Sequence, residues 1–514
     1  MKPFWLLNVT ISISFHFQAM KLTLTPSEAW QPLPTSEWDE AAALHLLRRT
    51  GWSAQTPQVD RALADGLDVT LQRLFPATPP AMPTPPSIVA LEEDTPEFAA
   101  KIRAAAPPER RELYQQARER SRNALLDLTA QWLQHASRPE FAACEKWTLF
   151  LGNVYVVAAR KVQNSALLYR HQDTLRRNCT GTASDLTKAV LRSPAMINYL
   201  DLQQNRNGAP NENFARELLE LFTLGIGHYT ENDIKEAARA FTGYVQRFGD
   251  YRFDPRLHDH SPKTIFGHTA NFDGDGVIDL IYTQKAAGTH LPALLTRFYL
   301  TDETLPDGYL AALGEWWRGT GFDLRQLAQH YFSSRLFFAP EFRGVCIKSP
   351  VQFFLGLIQD FSLDVPPLPR RFEPAFRQMG QVLYDPPNVR GWVGGREWIS
   401  STTIEARRLL ARAFFQPFDE SRLNADEQRA VAEARAAGGT AFTITDDKLQ
   451  PFAALNPDDA AARLLTRLLP LPASDAYRRA IGAALAGDGK PARPLARVRD
   501  AIVTVLETPE YQLC

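Results

Sequence analysis

Residues 210–225 read Pro-Asn-Glu-Asn-Phe-Ala-Arg-Glu-Leu-Leu-Glu-Leu-Phe-Thr-Leu-Gly, and this stretch decides the fold class. At about 100° per residue, Phe214, Leu218, Leu221 and Phe222 fall on one face of a helix. Asn213, Glu217 and Glu220 fall on the opposite face, with Arg216 beside them. Gly225-Ile226-Gly227 then interrupts the pattern, and apolar spacing resumes over 231–243. Two amphipathic segments joined by a glycine turn predict a helical hairpin.

The same periodicity extends in both directions. Ser36 and Gly51 are the expected N- and C-caps of one helix. Helical patterns cover 57–75, 108–136, 139–160, 183–204, most of 276–383, and 403–416, 424–437, 458–469, 474–486 and 494–508. The least helical stretches are 244–275 and 384–401. Ala441-Phe-Thr-Ile-Thr445 reads as a short hairpin at most. The expected fold is all-α, a large multi-helix single body with two long irregular loops. Its parts are an N-terminal extension (1–35), a main helical domain (36–416) and a C-terminal helical segment (417–514) packed on it. A proline-rich linker at 76–106 interrupts the main domain, since the prolines of Pro76–Pro86 forbid a helix there.

Composition narrows the function. The 514 residues carry 57 basic and 58 acidic side chains, a net charge of −1. A dedicated nucleic-acid binder shows a basic excess, so nucleic acid is not an expected partner. Of the basic residues 12 are lysine and 45 arginine, a bias that fits a GC-rich coding sequence. Cys144, Cys179, Cys346 and Cys514 form no Cys-x-x-Cys pair, and reduced thiols are expected. Asn8, Thr10, Ser12, Ser14 and His16 break the apolar run near the start, and no Ala-x-Ala follows, so a signal peptide is disfavoured. The alternation there reads as a strand, and a second reading begins the chain at Met20. These features favour a cytoplasmic protein, with export as the alternative. No stretch has the apolar length of a membrane span.

Several segments carry a family resemblance. They are Pro210–Gly225, Leu167-Leu-Tyr-Arg-His-Gln-Asp173, Ser193-Pro-Ala-Met-Ile-Asn-Tyr-Leu-Asp201, Glu236-Ala-Ala-Arg-Ala-Phe-Thr-Gly243, His258-Asp259 followed by Lys263, and Met379-Gly-Gln with Pro386-Pro-Asn-Val-Arg-Gly-Trp392. Together they resemble the bacterial domain-of-unknown-function 1800 family over roughly 36–415. The resemblance implies no established activity. It implies frequent export signals, a habit from which the interrupted apolar run at this N-terminus departs. It also implies, as a partner, a sulfatase-like protein of the domain-of-unknown-function 1501 family, whose genes often lie beside those of this family.

The residues themselves suggest where chemistry would lie. Glu217 and Glu220 point the same way, so they are candidates to bind a divalent metal, or to include one carboxyl with a raised pKa that acts as an acid. The structural alternative is Glu212–Arg216 and Arg216–Glu220 ion pairing. His258, Asp259, His260 and His268 cluster, and imidazole with carboxylate is a common ligand set for zinc, iron or manganese. Glu217, Glu220, His258 and Asp259 are therefore the candidate catalytic and metal-ligating residues. The alternative for 258–268 is a polar surface loop.

Asn271-Phe-Asp273-Gly-Asp275-Gly276-Val-Ile-Asp279 resembles a calcium loop, but Tyr282 replaces the bidentate acid at its last position. Helix capping by Asp273 or Asp275 is the favoured reading. In loop 384–401, Asn388, Arg390 and Trp392 are the candidate ligand-binding residues, suited to a glycan, an acidic ligand or a protein interface. The alternative is a loop pinned by its tryptophans. A P-loop, His-Glu-x-x-His, Gly-x-Ser-x-Gly and Gly-x-Gly-x-x-Gly are all missing. The leading expectation is a hydrolase-like, metal-assisted site where helix 211–224 and loops 258–268 and 384–398 converge within about 10 Å. The rival is a non-catalytic interaction or maturation partner.

Overall fold

The computed structural model describes residues 22–92, 94–416, 419–487 and 494–514. The readings of the N-terminal apolar run and of a start at Met20 fall outside the described residues. Among the described residues, twenty-six α-helices and two two-stranded antiparallel sheets build the fold.

Local chemistry sets the element ends. The helix Glu40–Thr50 starts at Asp39, whose carboxylate accepts the Ala42 N–H at 2.8 Å, and stops at Gly51. Ser36, the expected cap, lies instead in a 3-10 turn, Thr35–Glu37. Asp39 sits nearer the first apolar residue, and its charge also suits the helix dipole. The proline-rich stretch is tied down more than a free linker would be. Met82 is buried, its carbonyl accepts the Tyr169 hydroxyl at 3.2 Å, and Thr84 bonds the same hydroxyl at 2.8 Å. Residues Pro96–Ala104, read as linker, form a helix capped by Thr95. Residues Ser165–Asn178, which periodicity left without an element, form a helix capped by Asn164.

The two hairpins fall inside the first irregular stretch. Tyr244–Arg247 pairs with Asp250–Phe253, and Lys263–Ile265 with His268–Ala270. Residues 441–445, the expected hairpin, are irregular, with Ile444 N–H donating to Phe414 O at 2.8 Å. No helix among the described residues is long and apolar enough to cross a membrane.

Two large apolar clusters form the core. The first includes Trp147, Phe150, Leu218, Phe222, Leu295 and Phe332. The second includes Trp52, Trp132, Phe353, Phe354, Leu464 and Ile502, so the C-terminal helices share it with central ones. Helix α1 (Pro139–Val154) belongs to both: Trp147, Phe150 and Leu151 enter the first, Ala142 and Leu149 the second. It has almost no solvent face, yet it carries Glu145 at 1% exposure.

Glu145 is balanced by Arg176, also 1% exposed, from helix α2 (Ser165–Asn178). The guanidinium donates through Nε at 2.6 Å and Nη2 at 2.9 Å. Trp132 Nε1 adds a donor at 2.7 Å, and His135 Nε2 lies at 3.5 Å. Burial pushes the Glu145 carboxyl up, but Arg176 overcomes this and holds it at about 2. Removing one partner of such a pair strands the other charge. Glu145→Gln is expected to destabilise the fold by about 3–5 kcal/mol in urea titration, because Arg176 stays charged and buried.

Three histidines, two buried and one partly buried, set a second stability term. His171 bonds Ser193 Oγ at 2.9 Å and Tyr155 O at 3.0 Å, and burial lowers its pKa to about 4. Burial also lowers His330, stacked on Trp316, to about 4, and His45 well below its usual value. A depressed folded pKa means stability that is complete above the unfolded value of about 6.5 and lost as pH falls toward the folded value. The melting temperature should therefore fall between about pH 6.5 and 4, with uptake of up to three protons on unfolding.

Candidate functional site

The deciding helix starts as predicted and then changes its winding. Asn213–Glu217 is α-helical, and Leu218–Thr223 is a π-helical turn. The Leu224 N–H donates to Leu219 O at 3.1 Å, and Thr223 Oγ1 to Leu218 O at 2.6 Å. The wider winding shifts the buried face. Phe214, Leu218 and Phe222 stay in the core, while Leu219 and Thr223 join them and Leu221 turns partly outward. The Leu221 carbonyl accepts His290 Nε2 at 2.8 Å. Gly225, at φ +84°, ends the turn, and a Cβ there would stand 2.9 Å from His290 Nδ1. Single π turns recur at functional sites.

The changed winding also re-pairs the charges. Arg216 bonds Glu212 at 3.2 Å and Glu231 at 2.8 Å. Glu220, the other partner suggested for Arg216 by helical spacing, turns elsewhere. Its Oε2 accepts the Tyr229 hydroxyl at 3.1 Å, and its Oε1 lies 3.5 Å from Arg390 Nη2. Burial pushes the Tyr229 hydroxyl up to about 12, and its bond to Glu220 adds to this. Glu217 is half-buried, with its carboxyl raised by burial and by the Glu220 charge; Arg390 and Arg216 oppose the shift. Tyr199, buried nearby, also feels the Glu217 charge.

Arg390 comes from the second irregular loop, which Asn153 holds in place. Asn153 Oδ1 accepts the Trp392 N–H at 2.7 Å, and its Nδ2 donates to Trp392 O at 3.2 Å. Gly391, at φ +76°, allows this approach, since a Cβ would collide with the Asn153 side chain. Asn388 Oδ1 accepts the Arg390 N–H at 2.8 Å. Trp392, at 8% exposure, and Trp398 pack into the second core cluster, so they anchor the loop instead of offering stacking faces. Arg390 is the outward member, its side chain 65% exposed. Arg160 braces the loop entry, bonding Asp385 Oδ1 at 3.0 Å and Pro387 O at 3.1 Å.

The structure thus brings Glu217, Glu220, Asn388 and Arg390 to one surface. It places His258 and Asp259 in a second network. The Asp259 carboxylate takes Arg239 Nε at 2.8 Å and Ser261 N–H at 2.8 Å, and Arg239 holds its pKa well below the carboxylate range. His258 Nδ1 bonds Thr242 O at 2.9 Å, and burial lowers its pKa. Lys263 is fully buried, donating to Asp259 O at 2.5 Å and Asn271 Oδ1 at 3.0 Å. His258, Asp259 and Lys263 are buried beneath a loop whose His260, Ser261, Pro262, Thr264, Gly267 and His268 are exposed. The networks meet opposite ends of helix α3 (Glu231–Ala240), through Glu231 and Arg239, about 12 Å apart at the helical rise.

Among the described residues no group of three or more His, Cys, Asp and Glu side chains is placed to hold a metal ion. The donor set offered by Glu217 and Glu220 is two carboxylates, the kind a magnesium-type ion takes when water and substrate fill its other positions. In the calcium-like loop, Asp273 caps the helix Gly274–Thr283 through the Gly276 N–H at 2.9 Å. Asp275 pairs with Arg192 at 2.5 Å, and Asp279 with Lys188. A hollow of about 390 Å³ lies elsewhere, lined by residues including Arg435, Thr440 and Arg499.

Sequence reasoning missed Tyr199, Tyr229, Arg160 and Asn153. Only Tyr229 left a signal, nine positions past Glu220 in the same glycine turn. The fold and site define a large, mostly helical protein with a carboxylate–arginine surface built on a π turn. Residues 45–513 match the family described as "Protein of unknown function (DUF1800)", and the chain belongs to it. No curated protein and no solved structure matches the chain.

Asn153→Ala removes both bonds to the buried Trp392 backbone. It should destabilise the protein by about 1–3 kcal/mol and speed proteolysis within 384–398, measured by urea unfolding and limited trypsin digestion.

Proposed function

We propose that the surface formed by helix 213–223 and loop 384–398 is a hydrolase-like acid–base site for an anionic substrate. The observation that supports it is the pair of unlike carboxylates. Glu217 is half-buried with its pKa raised, whereas Glu220 has Tyr229 and Arg390 on its two oxygens. Two neighbouring carboxyls in different environments divide acid and base roles. Glu217, its pKa raised by burial and by the Glu220 charge, delivers a proton to a leaving group. Glu220, held by Tyr229 and Arg390, serves as its partner. Arg390, exposed and loosely paired, takes the acidic group of the substrate. A metal-assisted version places a hard divalent ion on Glu217 and Glu220, with water and substrate oxygens as its other ligands. His258 and Asp259, engaged in the second network, have a structural part in this reading.

The test is a panel of small chromogenic esters carrying a carboxylate, sulfate or phosphate group. Glu217→Gln should lower kcat/KM by about 10²–10⁴-fold. Arg390→Ala should mainly raise KM. Activity should decline as pH rises through the raised pKa of Glu217, because the acid form does the work. If divalent metal takes part, Glu217→Gln and Glu220→Gln lose it while His258→Ala keeps it. Full activity in Glu217→Gln would sink the proposal.

A second reading rests on exposed apolar side chains on the same segments: Ile226, Val393 and Ile399. Such a patch beside a charged pair suits a partner protein. The sulfatase-like domain-of-unknown-function 1501 protein is the proposed partner. Co-purification with it, lost in Ile226→Asp and Val393→Asp while the fold persists, would favour this reading over the enzyme.

A further inference from the structure

Residues 346–348 and 512–514 run antiparallel, with Ile347 opposite Leu513. The Lys348 N–H donates to Gln512 O and the Cys514 N–H to Cys346 O, each at 2.8 Å. This register sets Cys346 directly across from Cys514, with both side chains on one face. Residues opposed in this way have Cα atoms about 5.5 Å apart, inside the roughly 4.4–6.8 Å range of a disulfide. Both thiols are free.

The surroundings suit a reaction at sulfur. Arg49 Nη1 lies 2.6 Å from Cys346 Sγ. The Cys346 thiol donates to Leu300 O at 3.0 Å, and Arg49 donates to the same carbonyl at 3.2 Å. That carbonyl keeps a donor when the thiol hydrogen leaves. Cys514 also borders a small cavity of about 10 Å³ with Arg48, Ser53, Lys348 and Asp360.

We propose that Cys346 and Cys514 form a disulfide site that exchanges with a low-molecular-weight disulfide such as oxidised glutathione. Cys346 is half-buried and Cys514 only 4% exposed, so Cys346 reacts first. Its thiolate attacks one sulfur of the reagent, whose S–S bond breaks and releases one thiol. The Cys514 thiolate then attacks the Cys346 sulfur of the mixed disulfide and releases the second thiol. The protein dithiol is oxidised and the reagent reduced to two thiols, with the two protein protons carried away on them. The link fastens the C-terminal segment to the 344–348 loop. Burial holds the Cys346 thiol up at about 12, with Arg49 pulling the other way, so the exchange quickens as pH rises.

The full chain is equilibrated with reduced or oxidised glutathione at about pH 8.5 until its mass no longer changes, since the raised Cys346 thiol slows the exchange without setting its end point. Intact mass, non-reducing peptide mapping and thermal melting follow. The expected result is loss of two hydrogens, one linked peptide joining Cys346 to Cys514, and a melting temperature higher by about 5 °C. C346S and C514S abolish the link and the shift, while C144S keeps both. A linked Cys144–Cys179 pair, or stable glutathione adducts on Cys346 with no internal link, overturns the proposal. If a serine variant fails to fold, the wild-type peptide map decides alone.

Discussion

The buried pair Glu145–Arg176 is the constraint on which the rest of the structure hangs. Helix α1 is shared by both apolar clusters, so a charge on it has no route to water. The only stable solution is a counter-charge at hydrogen-bond distance with the remaining lone pairs satisfied. Arg176, Trp132 and His135 meet this demand from two other helices. The pair therefore fixes how three helices cross. Its field also reaches Tyr384, a residue at φ +63° whose carbonyl accepts the Ala159 N–H at 2.9 Å. Tyr384 opens the loop that carries Arg390, so the interior pair and the surface site belong to one connected arrangement.

The functional surface depends on backbone chemistry as much as on side chains. Asn153 stands in for a strand partner by bonding both the N–H and the carbonyl of Trp392. Arg160 caps three carbonyls of the same loop: Asp385, Pro386 and Pro387. With its own polar groups satisfied, the loop lets its tryptophans sink inward and leaves Arg390 outside. The second network repeats this logic around Lys263, whose amine replaces water for Asp259 O and Asn271 Oδ1.

Helical periodicity made most of the fold readable, because a helix buries a stripe whose spacing survives in one dimension. It failed where tertiary contacts override the stripe. Residues 165–178 are helical yet carry Arg176 and His171 inward, so polar letters hide a buried face. The hairpins at 244–270 are too short and exposed to show alternation, whereas the alternating Ala441–Thr445 lacks a partner strand. For the site, the pairing of Glu217 with Glu220 was visible from spacing, and Arg390 from composition. That they meet, and that His258 and Asp259 join Arg239 instead, depends on contacts between distant segments. Tyr199 and Asn153 left no local mark at all. The π turn was invisible for the same reason: its sequence is that of a good α-helix, and the widening follows from what His290 and Gly225 require beside it.

That widened turn has an evolutionary meaning. A π turn holds one residue more than the α-helical geometry around it needs, so deleting a single residue between Leu218 and Thr223 would restore regular winding. Because the wider turn already absorbs the extra residue, the chain on either side would keep its direction, and only residues within the turn would change face. Glu217 and the chain leading to Gly225 and Tyr229 would keep their stations, while Glu220, inside the turn, would be re-aimed relative to Tyr229 and Arg390. One codon therefore separates a turn that seats Glu220 between Tyr229 and Arg390 from one that points it elsewhere.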